Sequence, residues 1–167
     1  MPTKNIILLI LITIFSLPSL AFFHFEPGIG YNRGHYNSSK AQGIGLTLKL
    51  GAEFGKFFIL GDVGQHDLQL GNTPTSTLSD VGVSIGSEFK SWRFWYTHLT
   101  SATLTIESGA TTTEVTGGGM KLGIGGKISS KTYLNLEARF IDFTDSNGSP
   151  VTQFMDSAFL SVSWVIW

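Results

Sequence analysis

Residues 43–54 alternate strictly between apolar side chains and polar or glycine residues, and this period of two limits the chain to β structure. The apolar positions are Ile44, Leu46, Leu48, Leu50, Ala52 and Phe54. Successive side chains of a strand point to opposite faces of its sheet, so one face of this segment is continuously apolar. The same alternation recurs in 81–89, 120–128, 134–140 and 158–166. The pattern therefore predicts an all-β fold.

Extending the alternation through the segments between these gives eight strands. Their predicted bounds are about 22–33, 41–54, 57–67, 80–90, 92–103, 114–128, 132–143 and 154–167. Many of them exceed the roughly five or six residues that are usual in soluble sheets. They satisfy the need of a tilted transmembrane strand for roughly nine to eleven residues.

The predicted connections alternate in length. Short turns are expected at 55–56, 90–91 and 129–131, and longer loops rich in Gly, Ser, Thr, Asn and Pro at 34–40, 68–79, about 104–113 and 144–153. Short turns at one rim and long loops at the other are typical of a barrel in the bacterial outer membrane. We therefore predict an eight-stranded antiparallel up-and-down transmembrane β-barrel.

The first 21 residues have the layout of a secretory signal peptide. Lys4 is followed by an almost unbroken apolar run over 6–15, and Ser19 and Ala21 are small residues at the two positions that a signal peptidase reads. Cleavage would leave a barrel domain of residues 22–167. An uncleaved anchor is the alternative, because the apolar stretch continues through Phe22 and Phe23.

The two faces of the predicted strands differ in chemistry. The apolar face suits contact with lipid, because only helices and closed barrels satisfy their backbone polar groups inside a bilayer. The opposite face carries five acidic and five basic residues: Glu26, Glu53, Asp62, Glu88, Glu137, Lys49, Arg93, Lys121, Lys127 and Arg139. The lumen of an eight-stranded barrel is just wide enough for side chains. We therefore expect these charges to pair into a network that closes it.

Aromatic residues near the predicted strand ends suggest the two belts that mark membrane–water interfaces. Those expected at the short-turn rim are Phe23, Phe25, Phe54, Phe57, Phe89, Trp92, Tyr133 and Trp167, and those at the loop rim are Tyr31, Phe143 and Phe154.

In signal peptide, strand count, loop asymmetry and terminal strand, the chain resembles the small eight-stranded outer-membrane barrels of the outer-membrane protein A and X type. Members of this family usually end in an aromatic residue that the barrel-assembly machinery reads, and the resemblance assigns that role to Trp167. One departure concerns register. Trp164 and Ile166 share the apolar face, whereas Trp167 falls on the opposite one. The resemblance implies location in the bacterial outer membrane.

Composition excludes several other classes of protein and site. The chain has no Cys and a formal net charge of −1, so it offers neither a thiolate metal site nor the basic footprint of a nucleic-acid-binding protein. His24, Glu26, Asp62 and His66 could suggest a metal or acid–base cluster, but they lie on predicted strands 1 and 3, which are not adjacent. We predict no catalytic residue, no metal and no cofactor.

The sequence favours a structural or surface-interaction role, with the expected partners being outer-membrane lipid, the assembly machinery and an unknown surface ligand. The ligand would meet the loops, where the candidate residues are His35, Tyr36, Lys40, Asp67, Glu107, Asp142 and Asp145. Three alternatives stay open. These are a narrow channel for ions or small solutes, a lipid-modifying enzyme, and a soluble lipocalin-like carrier with its apolar face inside.

Overall fold

A computed structural model describes residues 21–71 and 73–166, except for the side chains of residues 21 and 73–75. Eight antiparallel strands form one closed barrel, in which each strand pairs with its neighbours in sequence and the last pairs with the first. The strands are β1 (Ala21–Tyr36), β2 (Ser39–Phe54), β3 (Phe57–Leu70), β4 (Thr73–Phe89), β5 (Trp92–Ser108), β6 (Thr111–Lys127), β7 (Thr132–Ser146) and β8 (Ser149–Trp164). The predicted fold class is confirmed.

Two predictions concern residues at the ends of the chain. The proposed signal peptide of residues 1–21 lies outside the described residues apart from Ala21, which begins β1, and Trp167 lies outside them as well. Among the described residues, no helix is long and apolar enough to cross a membrane.

The long loops predicted at one rim are wrong, because the strands continue through them. The connections there are two-residue turns at 37–38, 109–110 and 147–148, and residues 71–72 join β3 to β4. Asn37, Gly71, Gly109, Asn147 and Gly148 adopt φ between 50° and 81°, the left-handed conformation that tight hairpin turns require. Stretches rich in Thr, Ser and Gly therefore form water-exposed strand ends.

Replacing Gly148 with Ala should lower the free energy of unfolding by about 1 to 2 kcal/mol, because its φ of 81° is strained for a residue with a Cβ. Gly61→Ala is the matched control, since a Cβ there would meet only the Leu50 carbonyl oxygen at an ordinary 3.6 Å. Urea titrations followed by gel mobility would compare the two variants. Equal stability of both would contradict the assigned turn conformation.

The exterior of the barrel changes character along its axis. We call the end with Ala21, Trp164 and the turns at 55–56 and 90–91 the lower end, and the opposite end the upper end. The lower part of the wall exposes apolar side chains, including Leu46, Leu50, Ile59, Val83, Phe94, Leu122, Leu136 and Leu160. Above it the outward positions become polar, for example at Gln42, Gln65, Ser79, His98, Asp142 and Thr144.

The interior changes in the opposite sense at the same level. Charged and polar side chains predominate in the lower lumen, which also contains a small apolar cluster of Phe58, Leu60 and Trp95. A larger apolar cluster fills the upper lumen. This upper core comprises Tyr36, Ala41, Leu68, Leu70, Leu78, Leu99, Ala102, Leu104, Val115, Ile141, Phe143 and Met155. Tyr133 and Phe143, predicted to belong to the aromatic belts, are corrected to lumen residues, since both are buried.

The barrel is therefore built in two halves. The lower half has the apolar exterior that a bilayer requires and a polar interior, and the upper half has the polar exterior and apolar core of a water-soluble barrel. The level at which both faces switch places the upper boundary of the membrane. The upper half projects beyond that boundary as paired strands.

Candidate functional site

A ring of alternating charges crosses the middle of the lumen. Following the ring around, Lys49 pairs with Asp62 (3.5 Å) and Asp62 with Lys121 (2.9 Å). Lys121 pairs with Asp80 (2.5 Å) and Asp80 with Arg139 (3.5 Å). Arg139 contacts Glu137 (2.8 Å), which returns to Lys49 (3.5 Å). We call these six residues the charge ring; all of them are buried.

Two neutral side chains, Trp95 and Ser84, also contact the charge ring. The indole nitrogen of Trp95 donates to Glu137 (3.1 Å), and the Lys49 ammonium lies 4.0 Å from the centre of the Trp95 ring. The Ser84 hydroxyl donates to Asp62 (3.1 Å). These contacts give each of these carboxylates a donor beyond its lysine or arginine, which offsets part of the cost of removing charge from water.

A second polar cluster lies below the ring and is centred on Arg93. Its guanidinium binds both oxygens of Glu26, at 2.6 and 2.5 Å, and also donates to Asn135 (2.8 Å) and Ser163 (3.1 Å). Such two-point pairing fixes both the position and the orientation of the partners. Arg93 also stacks 4.0 Å above the Tyr133 ring.

The two lumen histidines have different hydrogen-bonding roles. His24 contacts Glu53 through Nδ1 (2.5 Å) and Glu26 through Nε2 (2.8 Å). Ionised carboxylates only accept hydrogen bonds, so His24 must carry both protons. His66 instead receives a hydrogen bond from Arg139 at Nε2, which makes that nitrogen an acceptor and the ring neutral.

The structure places the ten predicted lumen charges at three levels. Lys49, Asp62, Lys121, Glu137 and Arg139 belong to the charge ring, and Glu26, Glu53 and Arg93 to the cluster below it. Glu88 and Lys127 lie at the lower mouth, 3.4 Å apart and about one-third exposed. Asp80 is missing from the predicted lumen charges because the residues before it have the composition of a loop, although its place in the alternation of β4 points it inward.

His24, Glu26, Asp62 and His66 do not form one site. His24 and Glu26 touch, but Asp62 is bound by Lys49 and Lys121, and His66 lies beside Arg139 and Phe159. Among the described residues, no three acidic or histidine side chains are arranged to hold a metal ion. The lumen contacts amount to internal charge pairing, with each of these carboxylates held by a cation.

The candidate surface residues are spread over the upper half. His35, Lys40, Asp67, Glu107 and Asp142 are exposed on the outside of the extended strands or beside a turn. Asp145 is half-buried and accepts a hydrogen bond from the Gly148 backbone (2.9 Å). Tyr36 is corrected to an interior residue of the upper core, where its hydroxyl donates to Gln153.

Comparison with known proteins identifies the fold but no family by sequence. No family model matches the chain, and no curated protein matches its sequence. The barrel is similar to Neisserial surface protein A, with a TM-score of 0.62, 13% identity, and coverage of 87% of this chain and 97% of that one.

Two further solved structures give the same result. The attachment invasion locus protein Ail of Yersinia pestis has a TM-score of 0.58 and 7% identity, and the match covers 86% of this chain and 99% of that one. The outer membrane protein OprG from Pseudomonas aeruginosa has a TM-score of 0.54 and 10% identity, and the match covers 86% of this chain and 96% of that one. The predicted resemblance is confirmed at the level of architecture, and the predicted outer-membrane location agrees with these neighbours. The chain has the fold of the small eight-stranded outer-membrane β-barrels.

Proposed function

We propose that this protein is a closed barrel of the bacterial outer membrane with a structural or surface-interaction role. The observation that carries the proposal is closure of the lumen at two successive levels, by the charge ring and by the upper core. The apolar lower exterior anchors the barrel in lipid, and the polar upper half presents a surface to the outside. No chemical step is part of the proposed function.

The upper half suits surface interaction because its strands are paired up to two-residue turns. A rigid surface loses little conformational entropy on binding. Its exposed polar residues and turns are the proposed contact region for a surface ligand. Surrounding membrane lipid and, through Trp167, the assembly machinery are the other proposed partners.

A narrow channel is the competing function, and the packing of the upper lumen argues against it. Leu78, Leu99, Leu104, Ile141 and Met155 are each at most 1% exposed. An ion moving along the axis would have to displace this core after breaking the charge ring. A lipocalin-like carrier is disfavoured by the apolar exterior of the lower half, which a soluble protein would not expose.

Conductance across a planar bilayer tests the proposal. The folded barrel should give no stepwise current above that of the protein-free bilayer, and a porin inserted under the same conditions supplies the positive control. Lys49→Gln and the surface variant Lys40→Gln form a matched pair. A steady unit conductance that changes in Lys49→Gln and not in Lys40→Gln would overturn closure in favour of a channel.

A further inference from the structure

The two ends of the barrel carry opposite charge. The lower end carries four basic residues, Lys56, Lys90, Lys127 and Lys131, and two acidic residues, Glu53 and Glu88. The upper end carries two basic residues, Arg33 and Lys40, and six acidic residues, namely Asp67, Glu107, Glu114, Asp142, Asp145 and Asp156. Between the two ends, four Lys and Arg side chains of the lumen balance four Asp and Glu side chains, and the doubly protonated His24 is bound by Glu26 and Glu53. The lower end is therefore suited to bind anions at the membrane surface.

Two of the lower lysines lie on neighbouring turns at the edge of the wall and line the same cavity. The Lys56 carbonyl accepts a hydrogen bond from the Glu88 backbone (2.7 Å), which brings the turn after β2 beside the turn that contains Lys90. The Lys56 ammonium lies 4.7 Å from the centre of the Phe89 ring. Lys90 forms no ion pair with any residue that the structure describes. Positive charge is thus available at this point of the rim.

The acidic residues of the lower mouth are already engaged. Glu53 binds His24 (2.5 Å), and Glu88 receives a hydrogen bond from the Tyr133 hydroxyl (2.7 Å) and lies 3.4 Å from Lys127. A cavity of about 510 Å³ opens here between the turns, with Lys56, Lys90 and Phe57 among its lining residues. The cavity can admit a polar head group beside the two lysines.

An apolar groove lies beside this cavity on the outside of the barrel. Its volume is about 560 Å³, and it shares Phe57 and Phe58 with the cavity. Besides Phe57, the outward-facing apolar residues along it are Ile59, Ile85, Phe94 and Tyr96. The groove runs within the part of the wall that faces lipid, so a hydrocarbon chain is the chemistry that fits it.

We propose that this surface binds one anionic phospholipid, with its phosphate held by Lys56 and Lys90 and an acyl chain lying in the groove across β3, β4 and β5. A cationic rim joined to an apolar groove complements an amphiphile with a negative head group, and the exposed Phe57 lies where the two meet. The phospholipid contacts would also fix the depth of the lower end in its leaflet.

Lipid retention measured by native mass spectrometry tests the proposal. The folded barrel, released from detergent containing equal phosphatidylglycerol and phosphatidylcholine, should retain one phosphatidylglycerol preferentially. In Lys56→Gln/Lys90→Gln that retention should fall about tenfold or more, because each lysine near an anionic surface contributes separately. Arg33→Gln/Lys40→Gln, which removes two charges at the upper end, should retain lipid as the unmodified chain does.

A second pair of variants tests the groove. Ile85→Trp fills it and should weaken retention, whereas Val81→Trp, on the same strand and the same outward face, should not. Equal retention of the two lipids, or unchanged retention in the double lysine variant, would overturn the proposal. Displacement by millimolar inorganic phosphate with no effect of Ile85→Trp would also overturn it, in favour of a simple anion site.

Discussion

Replacing Lys121 with Met is expected to lower the free energy of unfolding by about 3 to 5 kcal/mol, the usual cost of removing one partner from a buried charge pair. Lys121 is fully buried and lies between Asp62 (2.9 Å) and Asp80 (2.5 Å). Met preserves much of the length of the side chain but offers no donor. Each of the two carboxylates would lose one of its two cations, so that Asp62 keeps only Lys49 and Asp80 keeps only Arg139 within the charge ring.

Resistance of the folded form to urea, read as the fraction that keeps its unboiled gel mobility, measures this effect. Lys127→Met is the matched control, because the Lys127 pair with Glu88 is longer, at 3.4 Å, and about one-third exposed. Such a pair contributes about 1 kcal/mol or less. Adding Asp62→Asn and Asp80→Asn to the Lys121 variant should recover part of the loss. A Lys121→Met barrel as stable as the original would show that the charge ring does not hold the lumen together.

The lower half of the barrel could be predicted from sequence because its two faces obey one simple rule. Strict alternation assigned Lys49, Asp62, Lys121 and Glu137 to the lumen, and all four are buried. What alternation cannot give is the partner of each charge. In the register of β6 and β7, Lys121 lies directly opposite Arg139, a like-charge pair that is unfavourable by itself.

Asp80 resolves this conflict from another strand. It reaches both Lys121 and Arg139 from β4, across the lumen. Contacts of this kind depend on barrel curvature and side-chain length, neither of which a strand-by-strand reading of the sequence contains. The order of charges around the ring is therefore a property of the closed barrel.

The upper half could not be predicted from the sequence because its outer face is polar and its inner face is apolar, the reverse of the lower half. Its Thr, Ser and Gly residues have a composition that is typical of loops, but here they form the water-exposed outer face of strands. In β5 the alternation also shifts phase at a bulge. Leu99 points inward, Thr100 and Ser101 are both exposed, and Ala102 and Leu104 point inward again. A one-residue shift moves every later side chain to the other face.

A charged substitution on the apolar, lipid-facing part of the exterior has the second large expected effect on stability. Leu48→Arg should lower the free energy of unfolding in lipid vesicles by about 2 to 4 kcal/mol, the cost of a cationic side chain on the lipid face near the bilayer centre. Leu48 faces outward on β2, near the middle of its apolar segment from Ile44 to Phe54. Arginine at that position must either lose its hydration or thin the surrounding bilayer.

Gln69→Arg makes the matched comparison, because Gln69 also faces outward on the neighbouring strand β3 but lies above the level at which the exterior turns polar. Opposite it on β2 is the neutral Gln42, so the new charge meets no like charge in register, and the expected change is within about 0.5 kcal/mol. Folding each variant into vesicles and titrating with urea separates the two positions. Because both substitutions add the same side chain, a similar cost at Leu48 and Gln69 would place the membrane boundary elsewhere. A large cost at Leu48 alone would locate it between the two, at the level where the charged lumen gives way to the upper core.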